Sequence, residues 1–249
     1  MTCDFCLTGE QSQNAAAGEP LAPDDVAARI RQAASQLRSV TILGGEASLH
    51  LGRALEVVAR IPRELDIVWK TNAYASPEGL ALLEGIPDVV LADYKFGNDG
   101  CAERLAGVRR YTDVATANLR WGAQHARLIV RHLVMPGHVD CCTKPVLNWL
   151  ANELPDVPVS LMTGYLPMFR APLVGLGRTN RPHEMEEARS FARQLGIRLA
   201  PFCLASSSKA MSQADGIWID RAGRICVDSA SGPLIELLAS LSPELELSS

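Results

Sequence analysis

Two hydrophobic rhythms alternate along the chain. "SVTILGG" is a short β-branched run ending in glycines, the pattern of a buried strand and a turn. "DIVWKTNA", "DVVLADYK", "RLIVRHLVMPG" and "VPVSLMTGYLP" repeat that pattern, and "IRLAPF" is a candidate further strand. Between them, apolar positions return at helical spacing. Val26, Ile30, Ala34 and Leu37 share one face after Pro23-Asp24-Asp25. "HLGRALEVVARI", "SPEGLALLEGI", "YTDVATANLRWGAQHA", "TKPVLNWLANEL" and "RPHEMEEARSFARQLG" read as further helices. Ser76 is the expected N-cap of the second of these, with Pro77 in its first turn. Residues 8–22 are small and polar and read as a loop.

Strand and helix alternate roughly every 25–30 residues, which predicts repeated βα units on a parallel sheet. Five or six units are too few for a closed eight-stranded barrel, so an α/β partial, open barrel and a doubly wound sheet both fit. The tail breaks the rhythm. "GIWIDRAGRICV" predicts a hairpin around Arg221-Ala222-Gly223, and "PLIELLASL" a short closing helix. The expected organisation is a main domain over residues 1–199, with a hairpin and helix extension over 200–249 packed on it.

Composition narrows the class. The chain has 249 residues, 47% hydrophobic and 21% charged, which is globular and large enough for a substantial core. The net charge of −4 is spread over interleaved acids and bases, without the basic stripe of a nucleic-acid partner. No run reaches the length of a membrane span, and the first residues lack a basic and then apolar leader. A cytoplasmic protein is expected. Seven cysteines are present: Cys3, Cys6, Cys101, Cys141, Cys142, Cys203 and Cys226. An odd count without an export signal points to reduced thiols rather than a disulfide framework.

Sites in parallel βα folds form at the carboxyl ends of the strands. Those positions hold Gly44-Gly45-Glu46, Lys70-Thr71-Asn72, Asp93-Tyr94-Lys95, Arg131-His132 and Met162-Thr163-Gly164-Tyr165. Charges so close to apolar strands are costly unless paired or bound to a ligand.

Taken in order, "CDFC", "GGEASLH", "KTNAY", "ADYK" and "VRHLVMPG" resemble the radical S-adenosylmethionine (SAM) enzymes, in the branch similar to pyruvate formate-lyase activating enzyme. The resemblance runs from about Thr2 to about Pro167. It implies a partial (β/α)6 barrel with its first strand upstream or truncated, a 4Fe–4S cluster and SAM. Soft thiolates suit such a cluster. The family's loop reads C-x3-C-x2-C. Cys3 and Cys6 match its second and third cysteines, and Phe5 its aromatic. The first cysteine would fall two residues before Met1, so an upstream start or a truncation is expected.

The resemblance assigns Gly44, Gly45 and Glu46 to the amino group of SAM, with Ala47 in place of the usual proline. It assigns Asn72 to the ribose or carboxylate, Asp93 and Lys95 to a pair near SAM, and Arg131 to the carboxylate and adenosyl group. Asp93 and Lys95 flank a strand end and need not point together. His132 is expected to be a packing histidine, and Tyr165 either lines a substrate mouth or packs. Cys101, Cys141, Cys142, Cys203 and Cys226 show no cluster spacing and are expected to be small buried thiols.

The implied reaction is reductive cleavage of SAM to a 5′-deoxyadenosyl radical that abstracts hydrogen. The electron would come from flavodoxin or ferredoxin. The substrate would be a small molecule, a peptide or a glycyl radical enzyme. Two alternatives remain: a non-catalytic scaffold that binds without chemistry, and an ordinary metal- or phosphate-dependent barrel hydrolase or lyase.

Overall fold

A computed structural model describes residues 1–14 and 22–200, with the backbone of 217–219 and 225–227. Five strands, β1 (Ser39–Ile42), β2 (Asp66–Thr71), β3 (Val89–Asp93), β4 (Arg127–Leu133) and β5 (Val159–Met162), form one sheet in chain order. Every neighbouring pair is parallel. Among the described residues the sheet does not close, and its order runs on without the reversal of a doubly wound sheet, so the architecture is the partial, open barrel. "IRLAPF" contributes a single parallel bridge between Leu199 and Val159. There the Val159 N–H donates to the Arg198 carbonyl at 2.9 Å and the Ala200 N–H to the Val159 carbonyl at 2.8 Å.

The helices are α1 (Gly9–Ser12), α2 (Pro23–Ala33), α3 (Leu51–Val58), α4 (Pro77–Leu83), α5 (Asp99–Ala106), α6 (Tyr111–His125), α7 (Lys144–Glu153) and α8 (Pro182–Gln194). Ser76 caps α4 as expected, its Oγ accepting the Gly79 N–H at 3.2 Å. Two helices break the sequence expectation. α1 lies inside the stretch read as loop. α5 is short and opens on Asp-Gly, which hides its periodicity; it is held by its ends. Asn98 Oδ1 accepts the Cys101 N–H at 2.8 Å, and Gly107 closes the helix at φ 64°.

The hairpin in the tail is present as β6 (Ile217–Ile219) and β7 (Ile225–Val227), paired antiparallel. The closing helix and Cys203 lie outside the described residues. No described helix is long and apolar enough to cross a membrane.

Strand alternation divides the sheet into two faces. Val90, Ala92, Leu128 and Val130 enter the main core with Leu105, Tyr111, Leu119, Leu147 and Leu150 from the helices. Val68, Val89, Leu91 and Ile129 form a smaller cluster on the other face. Lys70, Asp93 and Arg131 continue that second face toward the strand ends, so an apolar floor leads to a charged rim. β1, expected to be buried, is only half-buried along its length because it is the sheet's edge.

His132 is the packing histidine the sequence suggested, with no solvent exposure. Its Nδ1–H donates to the Tyr94 carbonyl at 2.7 Å, and its Nε2 accepts from the Thr143 hydroxyl at 2.9 Å. Burial pushes its pKa from 6.5 down to about 4. The folded state therefore binds fewer protons than the unfolded one between those values. This contribution to stability is complete above pH 6.5 and is lost as the pH falls toward 4, by about 3 kcal/mol. Urea unfolding across that window should show the loss, and His132→Gln should flatten it. Equal pH slopes in the two proteins would contradict this assignment.

Candidate active site

The rim is built from the ends of four adjacent strands. Beyond β1, Gly44 adopts φ 157°, a conformation that glycine tolerates and other residues rarely adopt. The turn sends Glu46 across the end of β2. One carboxylate oxygen of Glu46 accepts from the Ser48 N–H at 3.3 Å, the Ser48 hydroxyl at 2.8 Å and the Thr71 hydroxyl at 2.9 Å. The other accepts the Asn72 N–H at 2.6 Å. Glu46 thus caps the 3-10 turn Ala47–His50 and pins β2. Three of these four donors fall on one oxygen; the other carries a single bond and keeps acceptor capacity, with the exposed backbone of Gly44 and Gly45 beside it.

Ala73 follows with φ 53°, a left-handed backbone that costs a non-glycine residue about 1–2 kcal/mol. Its N–H donates to Thr71 Oγ1 at 3.2 Å. The bend lays the Asn72 side chain along the rim. Asn72 Nδ2 donates to the Gly45 carbonyl at 3.5 Å, and its Oδ1 accepts from the Lys95 ammonium.

Asp93 is the centre. It stands in register with Arg131 on the neighbouring strand and is only 7% exposed. Arg131 Nε donates to one carboxylate oxygen at 2.7 Å and Lys95 Nζ to the other at 3.1 Å. The two residues flanking Tyr94 therefore do point together. The Lys95 backbone N–H is fixed by the Tyr111 hydroxyl at 2.8 Å. Burial alone would raise the Asp93 carboxyl, but Arg131, Lys95 and Lys70 outweigh it and hold the group well below the usual carboxylate range. Glu46, Asn72, Lys95, Asp93 and Arg131 thus form one continuous hydrogen-bonded chain.

Lys70, placed at a strand end by the sequence but not among its candidate ligands, faces the same group. Burial lowers its pKa, with Asp93 opposing and Arg131 and Lys95 adding to the effect. It makes no direct ion pair among the described residues. Its signal in the sequence was its two-residue step from Val68 on one strand face. The rim carries three cations, Lys70, Lys95 and Arg131, against two carboxylates, Asp93 and Glu46, a surplus of one that suits an anionic group.

The cysteine loop lies beside this rim. Its backbone is tied to the end of α5, Thr2 N–H donating to the Ala106 carbonyl and Asp4 N–H to the Leu105 carbonyl, both at 3.0 Å. Phe5 is buried edge-on to Phe96, with ring centroids 6.0 Å apart, and against Tyr165 at 6.4 Å. Tyr165 packs there, and its hydroxyl donates to the Leu176 carbonyl at 3.0 Å. Burial pushes the Cys3 thiol up, and Lys95 is the main charge acting against that. The Cys6 sulfur sits 3.6 Å from both Thr8 Oγ1 and Ser12 Oγ. Both thiols are free and partly accessible. They suit an iron–sulfur cluster as two of its thiolate ligands.

A second group overturns the expectation of scattered inert thiols. Cys101, His138, Cys141 and Cys142 bring their ligand atoms within 4.8 Å of one another. Cys101 comes from α5; the other three come from the π-helical turn Val139–Thr143 and the residue before it. H-x2-C-C was readable in the sequence, but nothing there linked it to Cys101.

No family model matches the sequence. An uncharacterized protein of Methanocaldococcus jannaschii, MJ0674, is 33% identical over 181 residues, 72% of this chain and 53% of that protein. The chain therefore spans about half the length of the curated relative it matches. Among solved structures, a radical SAM methyltransferase from Sphaerobacter thermophilus superposes with a TM-score of 0.61 at 19% identity, over 80% of this chain and 61% of that one. A domain of pyruvate-formate lyase-activating enzyme from Bacteroides vulgatus gives 0.53 at 17%, over 65% of this chain and 97% of the domain. SuiB of Streptococcus suis bound to its precursor peptide SuiA gives 0.54 at 15%, over 82% and 46%. The chain has the fold of the radical SAM superfamily. The rim lies at the carboxyl ends of the parallel strands, where ligands of parallel βα folds bind.

Proposed function

We propose that the protein is a radical SAM enzyme. Cys3 and Cys6 would be two of the cluster's thiolates, and the residues of the rim would hold SAM. When bound, a reduced 4Fe–4S cluster supplies the electron that splits SAM into methionine and a 5′-deoxyadenosyl radical, which takes hydrogen from a substrate. In the family's motif the remaining cysteine position would fall two residues ahead of residue 1, and a three-thiolate cluster would take its third ligand there. What carries the proposal is the continuous chain from Glu46 to Arg131, lying beside the cysteine loop with a surplus of cations.

Each residue then has a task. Gly44 and Gly45 offer backbone to the methionine amino group, held in place by Glu46. Asn72 offers a side-chain amide to the ribose or carboxylate. Asp93 fixes the cations Lys95 and Arg131, and Lys70 and Arg131 receive the methionine carboxylate. A flavodoxin or ferredoxin would supply the electron. The substrate would be a small molecule, a peptide or a glycyl radical enzyme; the precursor peptide bound to SuiB supports the peptide. A non-catalytic scaffold, which binds without radical chemistry, is the competing reading.

Lys70 gives a direct test. A charge-assisted hydrogen bond contributes about 1.5–3 kcal/mol, so Lys70→Met should weaken SAM binding about 10- to 100-fold. Anaerobic equilibrium dialysis measures this. Unchanged affinity would remove Lys70 from the site.

A further inference from the structure

We propose that Cys101, His138, Cys141 and Cys142 form a tetrahedral zinc site, separate from the iron–sulfur loop, that staples α5 to the turn before α7. The spacing carries the inference. With Zn–S near 2.3 Å and Zn–N near 2.0–2.1 Å, tetrahedral ligands lie about 3.8 Å apart for two sulfurs and about 3.5 Å for sulfur and nitrogen. Cys101 and Cys141 are 3.8 Å apart, and Cys141 and Cys142 4.0 Å. His138 Nδ1 is 3.6, 3.2 and 3.8 Å from the sulfurs of Cys101, Cys141 and Cys142. Four donors thus surround a single point. A 4Fe–4S cluster places each thiolate on a different iron and spreads its sulfurs further, so this set is mononuclear. Three soft sulfurs and an imidazole select zinc among common divalent ions.

The surroundings are built to match. Asn98 Nδ2 donates to the Cys101 sulfur at 3.4 Å, and Arg104 approaches it at 3.7 Å, so donors and a positive charge face the thiolate. Asn98 Nδ2 also donates to the Cys141 carbonyl at 2.7 Å, clasping the two segments. Gly97 permits their approach: a Cβ there would lie 2.6 Å from the Cys142 carbonyl oxygen. Cys101, Cys142 and His138 are buried, and Cys141 lies at the surface, which gives the ion a way in. The far end of α5 holds the backbone of Thr2 and Asp4. A metal at its near end would therefore brace the helix on which the cysteine loop rests.

The test uses the full chain carrying Cys3→Ser and Cys6→Ser, expressed with added zinc, so that the loop thiols cannot bind the metal. Elemental analysis should find one zinc per chain. X-ray absorption at the zinc edge should show three sulfurs near 2.3 Å and one nitrogen near 2.0–2.1 Å. Cys141→Ser in the same background should lose the zinc or drop one sulfur from its shell. Absence of zinc from the double variant would overturn the proposal. So would a zinc shell without three sulfurs, or one that Cys141→Ser leaves unchanged. None of these readouts depends on SAM cleavage.

Discussion

Replacing Asp93 with asparagine should lower the unfolding free energy by about 3–5 kcal/mol. The substitution keeps the volume, removes the charge and turns one acceptor oxygen into a donor facing a cation. Lys95 and Arg131, which pair with the carboxylate at 3.1 and 2.7 Å, are then left buried without a counter-ion, with Lys70 beside them. Both partners' side chains are little more than a tenth exposed, so solvent screens them weakly. For a chain of this size the melting temperature should drop by about 6–20 °C. Calorimetry with and without a saturating anionic ligand is informative, because an anion that occupies the rim should restore part of the loss. A variant as stable as the parent would mean that the cations are not held by Asp93.

Gly97→Ala should cost about 2–4 kcal/mol, through overpacking and the loss of a neighbouring hydrogen bond. The added methyl would meet the Cys142 carbonyl oxygen at 2.6 Å, Pro145 Cβ at 2.8 Å and Cys142 Cα at 2.9 Å. Two of those three atoms are backbone and cannot swing away. The strand-to-α5 loop must part from the turn, and the Asn98 contact to the Cys141 carbonyl parts with it. Chemical denaturation measures the cost, and faster alkylation of Cys101 and Cys142 should accompany it. Stability within about 0.5 kcal/mol of the parent would show that the segments do not need this approach.

Much of the barrel was legible because its strands are uninterrupted β-branched runs and its helices are amphipathic over several turns. α5 was not, because its opening Asp-Gly masks a short periodic stretch whose boundaries are set by Asn98 and Gly107. The rim was legible in part. Glu46, Asn72, Asp93, Lys95 and Arg131 stand at successive strand ends, and a parallel sheet in chain order puts those ends side by side. Their exact linkage was not legible, since it depends on the register of Asp93 with Arg131 and the left-handed turn at Ala73. The protein donors that fix Glu46 were not legible either, since Thr71 and Asn72 reach it from the next strand end. The cysteine–histidine cluster lay beyond reach, because Cys101 meets Cys141 forty positions later through the close approach at Gly97.

SAM cleavage can be tested directly by a single assay. The chain extended upstream with a cysteine two positions before residue 1 is reconstituted anaerobically with iron and sulfide, reduced, and assayed for 5′-deoxyadenosine from SAM beside the unextended chain. A radical SAM enzyme predicts product from the extended protein, at a level the unextended one does not reach. No product from either would contradict that function and leave the rim as a binding site without radical chemistry.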